Sequence, residues 1–237
     1  MQLIEKFAPN VAEYWSYFVS SCQATAAMFL IAGVISFILG LFFGIILTIC
    51  KNDGIYPHKL IFITVDTIIN IFRAIPFLIL LIFLIPFTRI IMGTAIGVKG
   101  AIVPLVFGAV PFFTRQVETA LAGVSSGKIE AARSMGSGVW GIVFRVYLYE
   151  AVPDLIRVTV ITAISLIGLT TMAGAVGAGG IGSFAINYGQ NLRHQDIVNV
   201  CVVMLLICVW LLQAIGTFLA KKTTNRELFN KTETTKE

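Results

Sequence analysis

Ser125 sits in Gly123-Val124-Ser125-Ser126-Gly127, a G-x-S-x-G run that in a soluble α/β sheet lifts a nucleophilic hydroxyl onto a strand-to-helix turn. Such a serine needs a base within hydrogen-bond reach, and the chain offers only His58 and His194, each isolated in sequence. The same glycines open a second reading. Gly123 to Lys128 reads G-x-x-x-G-K, one residue short of a P-loop, and Ile129 stands where a hydroxyl would hold magnesium, so the chain cannot bind ATP in that way. Gly177, Gly179 and Gly182 fit G-x-G-x-x-G, with Asp196 following the first glycine by about twenty residues. A dinucleotide site needs a strand before that run and a βαβ unit around it. Here an apolar stretch precedes it, which favours a glycine-rich backbone in close packing or at the mouth of a pathway. Cys22, Cys50, Cys201 and Cys208 lack C-x-x-C spacing and read as small packing residues, and no metal-binding constellation is visible.

The elements around these motifs are those of a membrane protein. Of the 237 residues, 57% are hydrophobic and 12% charged, half the charge of an ordinary soluble domain. About 20 apolar residues make one helical crossing. Five windows qualify: 24–49, 68–92, 96–114, 156–178 and 197–219. Pro76 and Pro86 in the second, and Pro104 and Pro111 in the third, are tolerable where neighbours re-satisfy the freed carbonyls. Strand alternation is absent, against a β-barrel. The expected fold is therefore an all-α polytopic membrane protein with five transmembrane helices. The first 23 residues hold Glu5, Lys6, Pro9 and Glu13 with no A-x-A site, so no cleavable signal is expected, and Tyr14, Trp15 and Tyr17 read as an interfacial anchor.

Basic residues set the orientation. Lys51, Lys59, Arg115, Lys128, Arg133, Arg145, Arg157, Lys221, Lys222, Arg226, Lys231 and Lys236 fall in the first and third loops or the C-terminal tail. Lys6, Arg89, Lys99 and Arg193 fall on the other side. The positive-inside rule then predicts an N-terminus outside, with the tail and the long loop 118–154 in the cytoplasm. The net charge of +5 is explained by orientation, with no nucleic acid required.

Within that loop, Lys128–Met135 reads as a short helix. Ser125 or Ser126 supplies the N-cap, Glu130 falls in the first turn, and Gly136 takes the left-handed C′ position. Ala131 and Ala132 give it a narrow flank that a partner backbone could approach. The residues alone allow either a docking helix or a surface helix lying on its own bundle.

Glu130-Ala131-Ala132-x-x-x-Gly136, followed after nine residues by Val146-x-Leu148, resembles the EAA loop of permease subunits of bacterial ABC importers. Two positions depart from that pattern: Tyr149 stands where proline is usual, and Val146 where isoleucine is common. Three further blocks are similar to methionine importer permeases: Ile68 to Phe77, Ile85-Pro86-Phe87-Thr88-Arg89 with Gly93 to Gly97, and Ala173 to Gly180. The likeness runs from about Ser21 to Gln213 and implies a permease core over 21–213, an extracytoplasmic or interfacial segment over 1–20 and a cytoplasmic tail over 214–237. It implies a non-catalytic subunit of the bacterial cytoplasmic membrane that carries D- or L-methionine. Its partners would be a second copy of itself, ABC ATPase subunits that bind the ATP and magnesium, and an extracytoplasmic methionine-binding lipoprotein. Glu130, Ala131, Ala132 and Gly136 would then couple to the ATPase, with helices over Glu118–Gly123 and Val139–Leu155 as stiff links. The alternatives are a permease for another small amino acid, a passive channel, and a membrane-embedded serine hydrolase using Ser125.

Two groups of polar residues lie inside the windows. Asp66, Asn70 and Arg73 share one helical face and read as a structural stripe, Arg73 costing roughly 2.5–3.5 kcal/mol if it stood at mid-bilayer. Thr170, Thr171 and Met172 lie in a hydroxyl- and glycine-rich fourth window that reads as pathway lining, with the Met172 thioether against an apolar substrate side chain. Gly40-x-x-x-Gly44 reads as packing inside the bundle rather than as a dimer contact.

Overall fold

The computed structural model describes residues 8–233, with side chains through residue 224. Lys6 and Lys236 of the topology argument lie outside the described residues, as do the side chains of Arg226 and Lys231. All described elements are helical: α1 (Pro9–Glu13), α2 (Trp15–Cys50), α3 (Lys59–Ala74), α4 (Phe77–Phe83), α5 (Ile85–Met92), α6 (Gly97–Ala122), α7 (Ser126–Ser134), α8 (Val139–Ile142), α9 (Val152–Ala173), α10 (Gly180–Phe184) and α11 (Gln195–Glu233). A π-helical turn over Val143–Tyr147 and a last turn Leu148–Glu150 extend α8, and wider turns follow α9 and α10.

Four helices are long and apolar enough to cross a bilayer: Trp15–Cys50, Gly97–Ala122, Val152–Ala178 and Gln195–Thr224. The second predicted window needs correction. It is not one straight span over 68–92. The helix begins at Lys59, ends at Ala74, and the chain then turns by 103° into Phe77–Phe83. Pro76 explains the break, because it has no N–H to continue the ladder and forces Ile75 away from helical geometry. Counted as one broken crossing, the pair brings the total to five. Pro104 and Pro111, by contrast, stand inside an unbroken α6. That helix also runs eight residues past its predicted end at 114, taking in Arg115 and Glu118.

The chain divides into two compact units. The first comprises Met1–Ser36, Phe72–Val110 and Ala163–Leu211. Its core joins Met28 and Ala32 of α2 to Leu105 and Ala109 of α6 and Leu166 and Ala173 of α9. Here the 177–182 glycines close a tight reversal. Gly177, Gly179 and Gly180 all have φ between 79° and 91°, the Ile181 N–H donates to Thr25 Oγ1 at 2.8 Å, and a Cβ on Gly182 would lie 2.1 Å from the Thr171 carbonyl oxygen. This run is close packing of α10 on α2 and α9, in line with the structural reading.

The second unit comprises Phe37–Ile71, Pro111–Thr162 and Leu212–Glu237. Its core centres on Phe113, Val117 and Leu121 of α6, joined by Ala132, Ile142, Tyr147 and Val158. Gly40 and Gly44 let α2 lie against α6: a Cβ on Gly40 would fall 2.6 Å from Phe113 Cδ1, and one on Gly44 2.5 Å from Val117 Cγ1. Both glycines are spent on packing within the chain. Gly44→Val is expected to cost about 1–3 kcal/mol of overpacking, read as a lower thermal midpoint of the detergent-purified chain. Gly138→Ala, with nothing within 4 Å of its new methyl, leaves it unchanged in the same assay.

Candidate functional site

The loop between α6 and α9 is built from α7 outward. The helix starts two residues before its predicted start, at Ser126, with Ser125 in the N-cap position but making no side-chain capping bond. Glu130 is therefore the fifth residue of the helix and not in its first turn, and the dipole argument for it lapses. The C-terminal end matches its expected chemistry. Gly136 has φ 78°, its N–H donates to Arg133 O at 2.9 Å, and the Ser137 N–H reaches back to Ala132 O at 3.0 Å. This is a Schellman closure, which satisfies the last carbonyls and requires the left-handed residue that glycine supplies.

Three contacts tie α7 to the second unit. Ala132 is 4% exposed and packs into the core with Leu121, Ile142 and Tyr147, while Ala131 is exposed. The narrow flank expected from both alanines is thus divided: one methyl anchors and only the other is presented. Arg133 Nη2 donates to the Ile55 carbonyl at 2.6 Å, joining the helix to the turn after α2. Lys128 pairs with Glu150, joining its first turn to the end of the extended α8. Burial pushes the Tyr147 phenol above its usual range, the Asp53 carboxylate adding to this and the Arg133 guanidinium opposing it, so the ring enters the core neutral. The side of α7 left open carries Ser126, Gly127, Glu130, Ala131, Ser134 and Met135, the last 78% exposed.

The polar stripe is rearranged. Asp66 and Asn70 do share a face, with Asn70 Nδ2 donating to Asp66 Oδ2 at 2.9 Å. Their partner is Arg115 of α6, which bonds Asp66, donates to Asn70 Oδ1 at 2.9 Å and pairs with Glu118 at 2.7 Å. Arg73 is exposed in the last turn of α3, where a cation suits the helix dipole, and is not part of this network. In the sequence Arg115 reads only as a topology charge. Its i, i+3 carboxylate Glu118 is the one local signal of this network in the sequence.

The pathway trio is split as well. Thr170 is 1% exposed, and its hydroxyl donates to Ile167 O at 2.7 Å, so it faces its own core and cannot line a passage. Thr171 is half-buried and bonds the same carbonyl at 3.0 Å. Met172 is 53% exposed, on a face shared with Ser165 and Gly168. Ser125 makes no hydrogen bond to a histidine among the described residues, and His58 Nδ1 instead accepts from the Ile61 N–H at 3.4 Å.

Long apolar helices, two of them joined by a loop that carries a glycine-closed helix, define a polytopic membrane protein. The family described as the binding-protein-dependent transport system inner membrane component matches residues 39–226. The probable D-methionine transport system permease protein MetI of Vibrio cholerae is 41% identical over 202 residues, covering 85% of this chain and 90% of that one. The methionine import system permease protein MetP of Bacillus subtilis is 42% identical over 171 residues, covering 72% and 77%. A native crystal form of the MetNI methionine ABC transporter in inward-facing conformations superposes with a TM-score of 0.86 at 41% identity, covering 89% and 98%. The chain belongs to the binding-protein-dependent transport family of inner-membrane components. It is a transport subunit and not an enzyme, and the hydrolase alternative at Ser125 is not favoured.

Proposed function

We propose that this chain is the permease of an ATP-driven importer that carries methionine across a bacterial cytoplasmic membrane. Two copies would sit on two ATPase subunits, which hold the ATP and magnesium, and an extracytoplasmic methionine-binding lipoprotein would deliver the solute. The N-terminus lies outside, and α7 and the C-terminal tail lie in the cytoplasm. The core over 21–213 forms the passage, and the exposed side of α9 at Met172 faces it. The observation that carries this reading is α7 itself: a helix fixed at its back and both ends, with a small, polar flank left open. A helix held in this way transmits displacement instead of absorbing it. Closure of the ATPase pair would move α7, and through Ala132 and Arg133 the ends of α6 and α2 with it. The methionine names of relatives above 40% identity support the choice of solute.

The test is a panel reconstituted with its ATPase subunits, scored for both ATPase pull-down and uptake of radiolabelled methionine. Glu130→Ala and Gly136→Val are expected to lose ATPase retention at least tenfold, about 1.4 kcal/mol. Gly136→Asn should retain more than the valine, since asparagine tolerates the left-handed region. Met172→Ala is expected to change uptake while keeping the ATPase bound. Full retention in the Glu130 and Gly136 variants would overturn the coupling role. Uptake of a different amino acid with none of methionine would overturn the solute.

A further inference from the structure

Behind α7 lies a recess that neither the open side of that helix nor the Arg115 network accounts for. A cavity of about 220 Å³ separates the first turn of α7 from the end of α6 and the turn after α2, all within the second unit. Tyr147 lines it and is 7% exposed, yet its hydroxyl makes no hydrogen bond among the described residues. A phenol this deep ordinarily finds a partner. Asp53, on the rim of the same cavity, is close enough for its charge to act on that phenol, which places the hydroxyl end of the ring toward the recess. Its donor is left to be met from the cavity.

Both signs of charge border this space. On the donor side, Lys51 lines it, and so does Ser126, the first residue of α7. The helix has no side-chain cap, and the N–H groups of Ser126 and Gly127 bond nothing among the described residues. On the acceptor side stands Glu118, with one carboxylate oxygen on Arg115 at 2.7 Å and the other unbonded among the described residues. Asp53 joins it, held only by the 3.7 Å contact to Lys51. One ammonium against two carboxylates disfavours a lone anion, and two open N–H groups at a helix start disfavour a lone cation. Among the described residues no group of three ligands is placed to hold a metal ion. Leu121, Val124 and Ile129 complete the lining with an apolar wall. The volume falls below the range of about 300–1,000 Å³ usual for drug-sized ligands, which selects a small solute.

We propose that this recess is a binding site for a small zwitterion with a short apolar side chain, of the α-amino acid class. Its ammonium meets the free oxygen of Glu118 and Asp53. Its carboxylate meets the first N–H groups of α7, Lys51 and the Tyr147 hydroxyl, and its side chain lies on Leu121, Val124 and Ile129. A ligand held in this way ties α7 to α6 and to the turn after α2, adding to the contacts of Ala132 and Arg133. The site is separate from the Met172 surface, which belongs to the first unit.

Isothermal titration of the full chain, purified in detergent, tests this with L-norleucine and L-methionine. Both are expected to bind saturably and to raise the thermal midpoint. n-Butylamine and butyrate, with one charge each, should bind at least tenfold more weakly. Tyr147→Phe keeps the ring in the core and is expected to weaken both amino acids at least fivefold. Lys51→Gln removes an exposed charge, and Ser126→Pro deletes one N–H at the helix position that suits proline. Each should weaken binding likewise without lowering the midpoint of the unliganded chain. Met172→Ala should leave L-norleucine binding unchanged. No saturable binding of L-norleucine, or equal binding of n-butylamine or butyrate, would overturn the proposal. So would binding lost in Met172→Ala and kept in Tyr147→Phe, which would put the ligand in the passage. ATPase retention and methionine uptake are not read in this assay, so its failure leaves the importer reading standing.

Discussion

Arg115→Ala is expected to cost the second unit about 2–3 kcal/mol and to reduce the amount of folded permease recovered from membranes several-fold. The arginine joins three partners from two helices: Asp66 and Asn70 on α3, and Glu118 one turn along its own α6. Removing it leaves two carboxylates that are only 29% and 20% exposed facing each other without a cation. Breaking a fully buried pair by deleting one partner costs about 3–5 kcal/mol, and the residual exposure here lowers that figure. Asp66→Asn combined with Arg115→Gln removes the cation with one of its two carboxylates, leaving only Glu118 unpaired, and is expected to recover part of the stability, because neutral amides can still bond across the gap between α3 and α6. Fluorescence-detected size exclusion after heating separates the variants. Equal losses in the single and double variants would mean that the position needs the arginine stem and not its charge.

Arg115 also marks where the sequence stopped being readable. Its pairing with Asp66 spans 49 residues, and no local periodicity connects a charge at one helix end to a carboxylate in another. Local chemistry fared better. Gly136 could be placed at the C′ position from its neighbours alone, since a helix of that length needs a residue able to take φ near 78°. The glycines at 40 and 44 read as packing for the same reason, one face and one spacing. Prolines divided. Pro104 and Pro111 sit in an unbroken helix, as a membrane span allows, but Pro76 turns the chain by 103°. The sequence does not distinguish these outcomes, because the difference lies in which neighbours bond the freed carbonyls. The inward rotation of Thr170 was hidden likewise: hydroxyls suit both a pathway and a helix that bonds them to its own carbonyls, and here Ile167 takes both threonines.

The two alanines of the loop give the second large effect, and the contrast between them decides between a docking helix and one that merely lies on its own bundle. Ala132→Leu adds three heavy atoms where the side chain already touches the Leu121–Ile142–Tyr147 core, so α7 must lift away from the unit or the core must distort. That variant is expected to lose about 1–3 kcal/mol of stability, together with both ATPase retention and methionine uptake. Ala131→Leu puts the same bulk on the open flank, where nothing in the chain resists it. Its thermal midpoint should match the parent, while ATPase retention and uptake fall at least tenfold, because a partner that approaches a methyl cannot approach an isobutyl group. A surface helix predicts the opposite for Ala131, unchanged in every assay. If Ala131→Leu retains the ATPase and transports normally, the exposed side of α7 is not an interface. The core contact of Ala132 would then be the only reason for the second alanine to be small.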